Sequence, residues 1–265
     1  NTAPAPLRYG ETIMKNPFCV RGRAIVVTGG GRGIGRAVAL HLAGQGARVF
    51  IGGRSVAPLR ETCDMARDDG LAMDHFAVDV ADTDDIGRAF QALRANGIQI
   101  DALVNNAGTE ELRPAMDVDE ALWDKIVDTN LRGAFFCALH AARGMRAGGA
   151  IVNMCSLASA VGIPGAVPYG ASKSGLLGVT RGLATEWGPK GIRVNAVGPG
   201  YFRTEMTEPF FRDEKWREAM MPRIPLGRFG DPAELGGIVQ FLCSDAAAYV
   251  NGQILYVDGG FLAAI

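Results

Sequence analysis

A doubly wound, parallel α/β sheet is the fold this sequence predicts, and three observations carry the prediction. Short apolar runs rich in Val and Ile alternate along the chain with longer segments of helical periodicity. The runs are nearly continuous, which is the pattern of strands covered on both faces. A glycine-dense loop, TGGGRGIGRA (28–37), directly follows the first run and opens the first helical segment.

The predicted strands are RAIVVTG (23–29), RVFIGG (48–53), HFAVDV (75–80), IDALVNN (100–106), GAIVNMC (149–155), IRVNAVG (192–198) and QILYVDG (253–259). Between them, helical patterns run over 33–45, 57–69, 83–96, 119–146, 169–187 and 232–243. Asp231-Pro232 opens the last of these with an N-cap residue followed by a proline at the first helical position. The strand–helix alternation gives about seven parallel strands with helices on both faces. At 265 residues without an internal repeat or linker, residues 21–265 read as one Rossmann-type domain. Residues 1–20, with three prolines and no periodicity, read as an irregular arm without the apolar block of a signal peptide.

Composition excludes several classes. A formal charge of −1 gives no basis for nucleic acid or an anionic membrane as partner. The uncharged stretch from Ala147 to Ser172 contains two prolines, Asn153, Ser156 and Ser159, which rules it out as a membrane span. Five scattered cysteines and three histidines form no ligand spacing, so no metal site is expected, a zinc-dependent dehydrogenase is excluded, and a reducing compartment, the cytoplasm, is predicted.

The glycine loop supplies backbone that can turn sharply and approach a pyrophosphate, with helix N–H groups aimed at it. Gly29, Gly33 and Gly35 hold the TGxxxGxG spacing, with Arg32 and Ile34 between them. After the second strand, where an acid would accept bonds from a ribose 2′-OH, the chain reads Gly52-Gly53-Arg54-Ser55. Arg54 and Arg32 can instead grip a 2′-phosphate, which predicts NADP(H) in preference to NAD(H).

In PYGASK (168–173), Tyr169 and Lys173 are four residues apart at the start of a predicted helix, so both point into one small volume. With TGGGRGIG (28–35), Asp79-Val80, NNAG (105–108), Asn130, Ser156 and NAVGPGYFRT (195–204), this segment resembles the short-chain dehydrogenase/reductase family, its motifs in family order from about Arg21 onward. The resemblance implies that Asp79 and Val80 contact adenine. It places Asn106, with Ala107 and Gly108, along the cofactor ribose, and Pro199, Gly200, Phe202 and Thr204 at the nicotinamide. Ser55 would stand beside Arg54 at the 2′-phosphate.

For chemistry, it implies a set of Asn130, Ser156, Tyr169 and Lys173. Reducing a ketone needs a proton for oxygen as well as a hydride for carbon. Tyr169 would supply that proton, Lys173 would lower its pKa and bond the ribose, and Ser156 would hydrogen-bond the substrate oxygen. Asn130 would hold a water linking Lys173 to solvent. Cys155 replaces the first serine of the family's Ser-Ser pair and reads as a small buried hydrophobe.

The resemblance implies a small carbonyl or alcohol as substrate, and the tail VNGQILYVDGGFLAAI (250–265), together with PLGRFGDPAELGG (225–237), is similar to gluconate 5-dehydrogenase-like and other sugar-acid members. Arg113 or Arg203 would then hold the substrate carboxylate. A 3-oxoacyl thioester reductase and a non-catalytic dinucleotide sensor are the alternatives. Residues 201–230, with Phe210, Phe211, Trp216, Met220 and Met221, read as a lid. Phe135, Phe136, Leu176, Val179, Leu183, Trp187 and the tail Phe261–Ile265 suggest subunit contacts, and a homotetramer, or else a dimer, is expected.

Overall fold

The structure, a computed structural model, describes residues 16–205 and 207–264. Seven strands form one parallel sheet in the order β3-β2-β1-β4-β5-β6-β7. They are β1 (Ala24–Thr28), β2 (Arg48–Gly53), β3 (Met73–Ala77), β4 (Ala102–Asn105), β5 (Ala150–Met154), β6 (Arg193–Pro199) and β7 (Ile254–Val257). The order reverses between β1 and β4, so the crevice at the carboxyl ends of these strands is where such sheets bind ligands.

The near-continuous apolar runs are explained by burial on both faces. Ile25 and Val27 of β1 pack on one layer while Ala24 and Val26 pack on the other, and β4 repeats this with Val104 against Leu103. One layer is closed by α1 (Gly33–Gly44), α2 (Val56–Asp68) and α9 (Leu235–Cys243). The other is closed by α3 (Thr83–Ala95), α5 (Gly133–Ala142) and α6 (Val167–Trp187), with α4 (Glu120–Val127) against α6.

Helix starts follow their side chains. Asp82 accepts from the N–H groups of Asp84 and Asp85 to begin α3, and Asp119 accepts from Leu122 to begin α4. Asp231 and Glu234 complete a capping box on the 3₁₀ turn that leads into α9. α1 differs: Arg32 occupies its N-cap with no side-chain bond, and its first turn carries no acid. Its first N–H groups are therefore left pointing at the crevice.

Two elements differ markedly from the sequence reading. The third strand lies at 73–77 rather than 75–80, because its partner β2 ends at Gly53, paired with Ala77. The segment 119–146 is two helices separated by a π-helical turn, Asp128–Arg132, where the Gly133 N–H reaches back to the Asp128 carbonyl. A side chain on Gly133 would strike the Val80 carbonyl, so the close approach of this turn to the β3–α3 loop requires glycine there. Residues 1–15 of the expected arm lie outside the described residues. Residues 16–20 form no helix or strand; Val20 is fully buried, and the carbonyls of Pro17 and Phe18 accept hydrogen bonds from Ala246 and Gln240.

Of the side chains expected at subunit contacts, Leu176, Leu183 and Trp187 are buried within the chain itself, as is Phe261. Leu183 and Trp187 pack in the layer closed by α3, α5 and α6, Leu176 clusters with Ala196 of β6, and Phe261 with Leu157 and Ile224. Phe135, Phe136 and Val179 are half-buried. Ile265 lies outside the described residues.

Candidate active site

One cavity of about 560 Å³ runs along the carboxyl ends of the central strands, from the glycine loop to the start of α6. The glycine loop forms its floor. Gly29 and Gly33 have φ of +68° and +50°, a conformation that favours glycine. A Cβ on Gly29 would come within 2.9 Å of Ala107 Cα, and one on Gly35 would collide with the Gly29 carbonyl. Gly33, Ile34 and Gly35 line the cavity at the uncapped start of α1. These residues fit a dinucleotide pyrophosphate: bare backbone, free N–H groups and no acid in the first turn of α1.

Arg54 and Ser55, at the end of β2, also line the cavity, and Arg54 is exposed. Arg32 lines it as well, but forms an ion pair at 3.0 Å with Glu205 from the segment after β6. Thus Arg54 is the guanidinium available to a 2′-phosphate, while Arg32 already has a partner.

The loop after β4 is stitched to the glycine loop. Thr28 Oγ1 accepts from the N–H groups of Asn106 and Ala107, both at 3.1 Å. The Asn106 amide donates to the carbonyls of Thr28 and Gly29 at 3.0 and 3.2 Å. Asn106, Ala107 and Gly108 line the cavity, and the Asn106 amide also holds the glycine loop in place. Opposite lie Pro199, Gly200, Phe202 and Thr204. Gly200 is required because a Cβ there would stand 2.6 Å from Asp258 Cα.

Ser156, Tyr169 and Lys173 converge on the cavity. Ser156 follows β5, and Tyr169 and Lys173 lie one turn apart on α6. Lys173 is buried, its Nζ 2.7 Å from the Met154 carbonyl and 5.6 Å from the centre of the Tyr169 ring. Burial draws the Lys173 ammonium below its ordinary value, with Cys155 and Glu110 opposing. The expected lowering of the Tyr169 phenol is not found. Burial pushes it up, Glu110 adds to the push, and the Ser156 hydroxyl pulls the other way. Lys173 directs its proton at a backbone carbonyl, so desolvation dominates the phenol.

Three expected residues lie off the cavity. Asp79 binds the Ala81 N–H at 3.0 Å, structuring its own loop, and Val80 is buried against the α3–α5 layer. Asn130 is fully buried in the π turn. Its amide accepts from the Thr109 N–H at 2.8 Å and donates to the Thr109 carbonyl at 2.9 Å and to Ser172 Oγ at 3.1 Å. Ser172 in turn donates to the Tyr169 carbonyl at 2.7 Å. The Asn130 side chain therefore ties the β4 loop to the helix that carries Tyr169.

Residues 201–205 and 207–230 supply the outer wall through side chains such as Tyr201, Phe210 and Trp216. Within them, α7 (Glu208–Arg212) and α8 (Glu214–Met220) are joined by an aromatic cluster in which Trp216 meets Tyr201, Phe210, Phe211 and Phe229 at 5.3 to 5.8 Å. Phe210 and Trp216 face the cavity. The sequence reading missed Glu110, two residues past NNAG, which lines the cavity with its carboxyl pushed above the ordinary range by burial and pulled back by Lys173. A signal existed: a charged residue just beyond the carboxyl end of a central strand sits at the ligand edge of such a sheet. Arg113 and Arg203, expected to meet a substrate carboxylate, do not line the cavity. Arg113 is paired with Glu111 and Asp119, and Arg203 with Glu208.

The described residues contain no cluster of metal-binding side chains, and no described helix is long and apolar enough to cross a membrane. The family profile adh_short_C2, described as enoyl-(acyl carrier protein) reductase, matches residues 29–262. A gluconate 5-dehydrogenase of Gluconobacter oxydans (strain 621H) is 39% identical over 245 residues, 92% of this chain and 96% of that protein. A crystal structure from Sinorhizobium meliloti 1021 is 54% identical, with a TM-score of 0.91 over 94% of this chain and 100% of that one. A gluconate 5-dehydrogenase from Burkholderia cenocepacia J2315, crystallised with NADP and tartrate, is 37% identical with a TM-score of 0.91, covering 94% of this chain and 98% of that one. With the sheet order, the glycine loop and the Tyr–Lys pair in one cavity, these matches over nearly the whole chain place it in the short-chain dehydrogenase/reductase family of oxidoreductases.

Proposed function

We propose that this protein is an NADP(H)-dependent oxidoreductase that interconverts a ketone and a secondary alcohol on a small polyhydroxy compound, a sugar acid or a polyol. The observation that carries the reading is one cavity joining the uncapped start of α1 to Ser156, Tyr169 and Lys173. The relatives that act on gluconate, one of them crystallised with NADP, support the substrate class and the cofactor. Arg54, exposed at the end of β2 with no carboxylate beside it in sequence, supports NADP(H) over NAD(H).

NADPH, when bound, supplies the hydride that goes to the carbonyl carbon. The chain does the rest. Glycine-loop backbone and the first N–H groups of α1 hold the pyrophosphate, and Arg54 the 2′-phosphate. Ser156 donates a hydrogen bond to the carbonyl oxygen as negative charge gathers on it. Tyr169, held in its protonated form at neutral pH by burial, gives that oxygen its proton. Lys173 stabilises the phenolate left behind, through its charge beside the ring. In the reverse direction Tyr169 takes the proton back from the alcohol.

The test is absorbance at the nicotinamide band with NADPH and NADH against sugar acids, polyols, diketones and acyl thioesters. Turnover of a polyhydroxy substrate with NADPH is expected. Stoichiometric NADPH binding without turnover on any carbonyl would instead make the protein a dinucleotide sensor. A second reading, a 3-oxoacyl thioester reductase, is favoured by the apolar wall of Leu112, Leu157, Ile163 and Trp216 and by a 3-oxoacyl-[acyl-carrier-protein] reductase relative, 38% identical over 244 residues. The half-buried Phe135, Phe136 and Val179 support assembly, as a homotetramer or a dimer, and sedimentation checks it. Four buried unpaired thiols, Cys63, Cys137, Cys155 and Cys243, are consistent with a cytoplasmic setting.

A further inference from the structure

Five charged residues line the cavity: Arg32, Arg54, Glu110, Lys173 and Glu205. Arg32 and Glu205 neutralise each other, and Arg54 stands at the β2 end. The end near Tyr169 therefore has two charges, Lys173 and Glu110. Lys173 is buried and bonded to a backbone carbonyl, so it is poorly placed to meet a substrate group directly. Glu110 has no hydrogen-bond or ion-pair partner among the described residues, whereas its neighbour Glu111 is locked between Arg113 and Lys125. Its charge reaches both Tyr169 and Tyr201, which places the carboxylate beside the reacting end of the cavity.

A half-buried carboxylate with no partner is an acceptor waiting for a donor. It is also a barrier to another carboxylate, because like charges in a partly dry cavity repel far more than in water. The two arginines that would offset such repulsion, Arg113 and Arg203, are paired elsewhere and lie outside the cavity lining. We infer that Glu110 is a specificity-determining residue: it accepts a hydrogen bond from a substrate hydroxyl and selects uncharged polyols and their ketones over sugar acids. This rests on the oxidoreductase reading above and narrows its substrate class. The remaining wall agrees, since Leu112, Ile163, Tyr201 and Trp216 offer apolar faces and a phenol but no cation.

The experiment compares sorbitol with gluconate, which share a six-carbon hydroxylated chain and differ in a terminal carboxylate. Their affinities for the NADP⁺-saturated protein are read by tryptophan fluorescence, Trp216 lying in the cavity wall, and kcat/KM is measured in parallel. Wild type is expected to favour sorbitol by about tenfold or more, which corresponds to about 1.4 kcal/mol. Glu110→Gln should tighten gluconate about tenfold and weaken sorbitol several-fold, a shift of opposite sign for the two ligands. A general loss of fit would move both in the same direction, and that result would overturn the inference. So would tighter binding of gluconate by wild type. If neither ligand binds but an acyl thioester is reduced, the substrate inference fails while the oxidoreductase reading stands. If NADPH binds and nothing is reduced, both fail.

Discussion

Lys173 holds its ammonium 5.6 Å from the centre of the Tyr169 ring, while its hydrogen bond goes to the Met154 carbonyl at 2.7 Å. Helical spacing alone brings the two side chains to one volume, but the backbone of β5 decides where the ammonium points. The cation therefore acts on the ring as a nearby charge rather than as a direct partner of the phenolic oxygen. Meanwhile burial raises the phenol, which keeps it protonated at rest but makes it a weaker acid, so the charge of Lys173 beside the ring is what eases release of the proton.

Tyr169→Phe should accordingly remove most turnover, by roughly 10²- to 10⁴-fold in kcat, the usual contribution of a positioned acid or base. NADPH affinity, measured by fluorescence titration, should change by no more than about threefold, because the phenyl ring retains its packing. A residual rate within tenfold of wild type would assign the proton to another group.

The Arg32–Glu205 pair and the exposed Arg54 predict opposite effects on cofactor choice. Arg54→Ala should weaken NADPH by about 10- to 100-fold through loss of a charge-assisted contact, and leave NADH nearly unchanged. Glu205→Gln should do the reverse. It releases Arg32, whose pairing is exposed and weak, to meet the 2′-phosphate, so NADPH should tighten by about two- to fivefold. Equal shifts for both dinucleotides in either variant would remove the 2′-phosphate from the explanation.

Glu110 gives a pH signature with a definite sign. Its folded-state pKa is raised above the ordinary 4.5 by burial, so the folded protein binds more protons than the unfolded chain above that pH. This carboxyl therefore favours folding at acid pH, and the benefit is lost as pH rises through the raised value. Glu110→Gln should be more stable than wild type at pH 7, with the advantage vanishing at or below pH 4.5, as read by urea unfolding at both. Because Glu110 also raises the Tyr169 phenol, the same variant should shift the alkaline rise of alcohol oxidation to lower pH. A shift to higher pH would contradict the placement of the two groups.

All seven strands were legible in the sequence because both faces of the sheet are buried, which leaves Val- and Ile-rich runs such as AIVVT with no alternation to confuse them. The edge strand β3, MDHFA, was the one misplaced, since three of its five residues are exposed and its apolar signal continues into the buried Val78 and Val80. At the site, the glycine loop and the Tyr–Lys pair were legible because their chemistry depends on local spacing. What was hidden depends on partners distant in sequence. Arg113 and Arg203 read as free cations until Glu111, Asp119 and Glu208 are seen to hold them. The fastening role of Asn130 was hidden too, because its amide bonds Thr109 and Ser172, 21 and 42 residues away.

That commitment of Asn130 separates two roles that mutation can distinguish. If its side chain serves mainly to fasten the β4 loop to α6, Asn130→Ala strands the half-buried N–H and carbonyl of Thr109 and takes a partner from the buried Ser172. Stranded buried groups cost about 1–3 kcal/mol, so chemical denaturation should show a stability loss of about that size. The rate should fall as well, because Ser172 bonds the carbonyl of Tyr169 and a loosened α6 start misplaces the phenol. A variant that keeps full stability but loses turnover would point instead to a proton-relay role carried by the polypeptide at this turn. In that case solvent isotope effects on kcat should differ between Asn130→Ala and wild type, whereas a purely fastening role leaves them alike.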